Sequence, residues 1–336
     1  MTRPAPMLLA AALLVAASPA PAPKFVPAHA ANFPDPFILP YKTRFLAYAT
    51  NAERRQANVQ MAVSDDLRVW TPLKTGGKLH DAMPVLPSWA KPGWTWAPEI
   101  IRLNNRYLLY FTARERASGR QCTGVADSAT PFGPFFDASA TPLICQRALG
   151  GTIDASPFRD ADGRRYLYFK PDANAVGKPT TIMVQRLTGD GRTLVGAPVT
   201  LLRNDRPWEA HVIESPTMVR HAGGYALFYS ANHFGWEAHQ RLSPYAMGYA
   251  RCAGPMGPCR DAPANPILQS HVDRQGDCLS GPGHQGVFSV GNRQYIVFHA
   301  HAATAGCRNS HKGRYMYVAP LAWRDGQPRI GSSLRR

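Results

Sequence analysis

From Thr152 to Arg159 the chain alternates apolar residues with small or polar ones. That period of two predicts a β-strand. Asp160-Ala-Asp-Gly163 follows, turn chemistry whose Asp-Gly supplies the positive-φ positions of a tight hairpin. Arg165 to Phe169 then reads as a second strand, rich in aromatics. Asp154 therefore sits on a strand that should be well buried, and an unpaired buried charge is costly. Either backbone N–H groups satisfy it, or it has a chemical task.

The unit recurs. Phe37-Ile-Leu39 leads to Arg44–Tyr48, Trp96–Ile101 to Arg106–Phe111, Glu214–Val219 to Tyr225–Tyr229, and His284–Phe288 to Gln294–Phe298. Each pair precedes a third strand-like run: Val59–Val63, Thr123–Ala126, Thr181–Arg186, Ala246–Arg251 and Arg314–Ala319. The landmarks Asp35, Trp96, Asp154, Glu214 and His284, one per first strand, are separated by 61, 58, 60 and 70 residues. Several strands per repeat at that period predict an all-β, five-bladed β-propeller in a single domain. In a propeller the innermost strand of each blade lines a central channel. If the first strand of each unit is innermost, two Asp, one Glu, one His and one Trp converge at one mouth, a combination that looks like a site and not like packing.

Residues 1–22 carry Arg3, an apolar run from Met7 to Ala17 and small residues at Ser18, Ala20 and Ala22, the pattern of a secretory signal peptide too short for a membrane anchor. A secreted or periplasmic location follows, with cleavage after Ala20 or Ala22. Residues 23–31 read as a Pro/Ala-rich tail, and 32–330 as the propeller. No later apolar run is long enough for stable membrane insertion, and a monomer is expected. Six cysteines in an exported chain suggest three disulfides. Proximity favours Cys252–Cys259 and Cys122–Cys145, leaving Cys278–Cys307; the pairs lack the short spacing of a zinc site. The formal net charge of +16 and pI of about 9.9 raise nucleic-acid binding. The basic residues are dispersed, without a Lys/Arg run or a recognition motif, so no nucleic-acid partner is expected; adsorption to anionic polysaccharide fits the charge better.

Asn32-Phe-Pro-Asp35-Pro-Phe, Trp96-Ala-Pro-Glu99, Ile153-Asp154-Ala-Ser-Pro-Phe158, Ile213-Glu214-Ser-Pro and Gly281-Pro-Gly-His284 together resemble glycoside hydrolase family 43. The resemblance spans nearly the whole chain after the leader, in register with the repeat. It implies a five-bladed propeller that hydrolyses arabinofuranosyl or xylosyl linkages with inversion, on arabinan, arabinoxylan or derived oligosaccharides. By motif position it implies Asp35 as general base, Glu214 as general acid, and Asp154 as the residue that raises and orients that acid. It also implies a calcium or other cation on the propeller axis, with His284 beside it. The physical logic agrees: inversion needs base and acid carboxyls roughly 6.5–9.5 Å apart to admit a water. Asp154, one blade from Glu214, would keep that acid protonated by its own charge.

Weaker candidates surround these. Trp96 is a candidate to stack on a sugar face, Phe37 to line the wall beyond Asp35, and His233 with Phe234 and Trp236 to form an aromatic rim. Alternation turns Glu99 away from Trp96, which leaves it out of the predicted site. His299 and His301 lack acidic or Cys partners at ligand spacing and read as hydrogen-bonded structural or rim histidines. Two function classes stay open: an enzyme, favoured because all three acidic positions are present, and a sugar-binding propeller without catalysis; within the enzyme reading, arabinofuranosidase or arabinanase stands beside β-xylosidase.

Overall fold

A computed structural model of the chain describes residues 23–51, 56–236 and 240–334. The expected leader over 1–22 lies outside them. Four antiparallel sheets each take four strands in chain order. Blade one comprises Phe37–Tyr41, Arg44–Ala49, Gln60–Ser64 and Thr71–Pro72. Blade three comprises Thr152–Arg159, Arg165–Pro171, Thr181–Leu187 and Leu194–Arg203. Blade four comprises Ile213–His221, Gly224–Ala231, Ala246–Cys252 and Cys259–Asp261, and blade five Gly283–Val290, Arg293–Ala303, Asn309–Arg324 and Gln327–Ile330. Blade two has Ala90–Leu103, Arg106–Glu115 and Gln121–Ser128, with single bridges Asp127↔Phe136 and Thr123↔Ile144 where a fourth strand would run. The five sheets form the expected five-bladed propeller.

The second strands explain why the pattern reads so clearly. Each is an apolar run because both of its faces are covered, as in any strand sandwiched between layers. Successive side chains point to opposite neighbours. In blade two, Leu109 and Phe111 pack toward blade one while Leu108 and Tyr110 pack toward blade three. Tyr168 and Leu227 meet between blades three and four, Phe228 and Ile296 between four and five, and Val297 and Ala47 between five and one. A core thus fills every seam. Tyrosines of these strands also reach the next blade's outer turn: Tyr48 Oη donates to the Pro131 carbonyl (2.7 Å), Tyr110 to Gly191 (2.6 Å) and Tyr168 to Pro255 (2.6 Å).

The ring closes where the chain's ends meet. Segment 24–33 runs beside the third strand of blade five: the Ala28 and His29 N–H groups donate to Met316 O, Met316 N–H to His29 O, and Phe33 N–H to Arg314 O. Ser333 N–H donates to Lys24 O. Ala28 and Phe33 enter the core between blades five and one. All three disulfides pair as the sequence suggested, Cys122–Cys145, Cys252–Cys259 and Cys278–Cys307.

Candidate active site

Every inner strand carries one residue in the left-handed region near its mouth end: Asp35, Ala97, Asp154, Ser215 and His284, with φ between 46° and 56°. In blades two to five a one-residue register slip accompanies it, between Trp96 and Glu99, Ile153 and Ser156, Glu214 and Thr217, and Gly283 and Gly286. Such a bulge re-aims side chains away from the ladder. Asp and His tolerate this backbone better than most residues. The left-handed residue is therefore the true fivefold landmark, and Trp96 and Glu214 stand one residue before it.

A bulge also frees its own N–H, and the preceding blade supplies the acceptor. Asp35 N–H donates to His299 Nδ1 (3.1 Å), Ala97 N–H to Thr50 Oγ1 (3.0 Å), Ser215 N–H to Asp154 Oδ2 (2.9 Å) and His284 N–H to Ser230 Oγ (2.8 Å). Thr50, Ser230 and His299 occupy equivalent places on the second strands, opposite the residue before the bulge, and the matching places in blades two and three hold Thr112 and Lys170. These five polar residues form a second tier around the axis.

The three predicted carboxylates line one pocket of ≈ 400 Å³, and their surroundings differ. Asp35 Oδ1 meets Arg314 Nη1 at 2.9 Å and His284 Nδ1 at 3.3 Å, while Thr50 Oγ1 donates to its Oδ2. Burial works against its charge, but Arg314, then His284 and His299, outweigh burial and hold it well below the carboxylate range. Burial drives Asp154 the other way, up to about 6, with the charge of Glu214 adding and His284 opposing. Glu214 accepts from Tyr245 Oη (2.8 Å) and Lys170 Nζ (3.2 Å). Lys170 is wholly buried and also bonds Asp172 (3.3 Å). Burial disfavours its charge, yet Glu214, Asp172 and Asp154 overcome that and raise its pKa.

Trp96, His233 and His284 line the same pocket, with Phe234, Asn232 and Arg314. Phe37 does not. The inner strand carries it past Asp35 into a second cavity of ≈ 310 Å³ farther along the channel, where it meets Gly286 and Glu99. Glu99, left out of the predicted site, opens onto that cavity. Its carboxyl touches solvent space yet is ringed by protein, and burial raises it to about 8, opposed by its bond to Ser156 and aided by Asp154. His299 is fully buried behind Asp35, and burial together with Arg314 lowers it to about 3. His301 Nε2 lies 2.7 Å from the Phe234 carbonyl, at the rim.

The cation expected beside His284 can be tested against these residues. Among the described residues the one cluster of three His, Cys, Asp or Glu donors is Glu115 with Cys122 and Cys145, and those cysteines are joined in a disulfide. An axial calcium beside His284 would thus draw at most two such donors from the described residues, and water for the rest. Asp35 already has a counter-charge in Arg314, and Glu214 in Lys170.

Sequence reasoning missed Lys170, Tyr245 and Arg314. Lys170 was signalled: a lysine ending the run Tyr-Leu-Tyr-Phe must be paired if that run is buried. Arg314 was not, since it reaches Asp35 across 279 residues from the third strand of another blade.

Comparison with known proteins agrees with this geometry. An arabinoxylan arabinofuranohydrolase of Paenibacillus polymyxa is 26% identical over 275 residues, 76% of this chain and 40% of that protein. A β-D-galactofuranosidase of Aspergillus niger is 30% identical over 249 residues, 70% of this chain and 64% of that protein. The chain thus matches only about half the length of these curated relatives. The crystal structure of a thermostable family-43 glycoside hydrolase superposes with a TM-score of 0.74 at 28% identity, covering 91% of this chain and 94% of that one. The family model for glycosyl hydrolases family 43 matches residues 26–328, and with the five inner strands and their carboxylates in register, the chain belongs to that family.

Proposed function

We propose that the chain is an inverting glycoside hydrolase that releases arabinofuranosyl residues from arabinoxylan, arabinan or oligosaccharides derived from them. The reading is carried by three carboxylates that share one pocket in three different charge environments. Asp35, held ionised chiefly by Arg314, suits the general base that activates water. Glu214, oriented by Tyr245 and Lys170, is the general acid at the leaving oxygen. Asp154, on the neighbouring blade, bears on that acid through its charge. Both relatives named above carry furanoside names, which favours a furanose in the pocket over a xylopyranose. The three disulfides support export to an oxidising compartment. A calcium held through water beside His284 would add positive charge near Asp35; no step depends on it here, and exhaustive chelation with activity and melting temperature as readouts tests it.

The deciding experiment is hydrolysis of nitrophenyl α-L-arabinofuranoside and β-D-xyloside, with the anomer of the first-formed sugar read by NMR. Arabinofuranoside cleavage with inverted product is expected. Asp35→Ala, Asp154→Ala and Glu214→Ala should each lower turnover by about 10²–10⁴ in a folded protein. Faster xyloside cleavage would reassign the substrate, and no cleavage of either would leave a sugar-binding propeller.

A further inference from the structure

Blade two departs from the other four at the pocket mouth. Beyond its bulge, its inner strand slips a second time: Lys91 pairs with Arg114 and Trp96 with Thr112, so five steps on one strand answer two on the other. The extra residues form an excursion over 92–95, turned at Gly93 with φ 86°. The excursion presents Trp94, a residue 38% exposed, a large apolar surface for a solvated rim. Its ring centroid lies 6.1 Å from that of Trp96, which lines the pocket, and the two planes are tilted by 59°.

The indole is braced from one side. The Arg114 guanidinium lies 3.5 Å from the ring centroid, a close cation–π contact, and Arg114 Nε has no hydrogen-bond partner among the described residues. Gln121 Nε2 donates to the Trp94 carbonyl (3.3 Å), fixing the backbone of the excursion. One face of the indole is thus taken, its orientation is set, and the remaining surface continues the pocket wall outward. A rigid aromatic face offers large contact area at little entropic cost.

We propose that Trp94 is a stacking platform for a neutral pentose ring of the polymer chain, next to the ring held against Trp96, and that it sets a preference for polymer over short substrates. The proposal rests on the carbohydrate-hydrolase reading for the identity of the ligand. The test is affinity electrophoresis in gels containing arabinoxylan or linear arabinan, with KM measured over arabino- and xylo-oligosaccharides of increasing length. Trp94→Ala should weaken polymer affinity about three- to tenfold, with a loss that grows with chain length, and Trp94→Phe should restore most of it. Trp94→Gln serves as a second ring-less variant if Trp94→Ala misfolds. Unchanged polymer affinity, or a loss independent of chain length, overturns the platform. The two readings fail separately: a protein that hydrolyses no glycoside yet binds polymer through Trp94 keeps the platform and loses the enzyme.

Discussion

At the scale of single residues, the site works by giving identical carboxyls different neighbours. Asp35 is buried as deeply as Asp154, yet Arg314 holds it ionised while Asp154 rises to about 6. Asp35 therefore cannot supply an acid limb near neutrality. Asp154 does: burial raises its carboxyl to about 6, so the charge it brings to bear beside Glu214 appears only as pH rises through about 6. The kcat/KM profile should show an acid limb with an apparent pKa near 6 that Asp154→Asn abolishes. A limb that survives the substitution belongs to another group. Glu99 gives a second pH signature, in stability. Its pKa is about 8 in the folded chain against an ordinary 4.5, so folding favours its protonated form. That contribution is fully present below about 4.5 and is lost as pH rises through about 8. Glu99→Gln, neutral throughout, should flatten the fall of melting temperature between pH 5 and pH 8. Calorimetry of both proteins across that window checks it, and parallel curves would mean that Glu99 ionises freely in the channel.

At the scale of the element, the second strand ties the molecule together. It places alternate side chains in two seams, and in blades one to three its tyrosine donates into the next blade's outer turn. Tyr168→Phe keeps the ring and removes one partly buried hydrogen bond to Pro255 O, at a cost of about 0.5–1.5 kcal/mol. Denaturant titration should read that loss with an unchanged m-value. These strands were legible because burial on both faces demands uninterrupted apolar runs. The polar residue closing each run, Thr50, Thr112, Lys170, Ser230 or His299, was equally visible but looked like a strand end. Its meaning depends on the bulge opposite, and a bulge leaves no period in the sequence. For the same reason the landmarks in blades two and four were placed on Trp96 and Glu214, one residue short of Ala97 and Ser215. Phe37 was carried into the pocket by alternation, and the turn of the chain after Asp35 sent it to the channel beyond. Arg314 had no local signal at all.

At the scale of the whole molecule, a ring of five similar blades must join its last blade to its first, and here the joint also carries chemistry. Asp35 stands on blade one, while its partners Arg314, His284 and His299 all stand on blade five. The seam between those blades is covered by segment 24–33, which bonds the strand that bears Arg314, at Arg314 O itself and at Met316. Asn32 Oδ1 accepts from the Arg314 N–H at 3.0 Å. Any slackening of the seam should therefore reach Asp35. A chain lacking residues 1–31 loses the hydrogen bonds of Lys24, Ala28 and His29 to blade five and to the C-terminal segment, together with the buried Ala28. At about 1 kcal/mol for each hydrogen bond, the melting temperature should fall by about 5 °C or more. The activity of the surviving folded fraction should fall too, because the Asp35–Arg314 pair is no longer held square. Thermal unfolding and kcat measured on the same preparation separate the two effects. A lower melting temperature with full kcat would make the segment a stabilising strap alone, and no change in either would mean that the ring closes through the Ile38, Val297 and Val318 core without it.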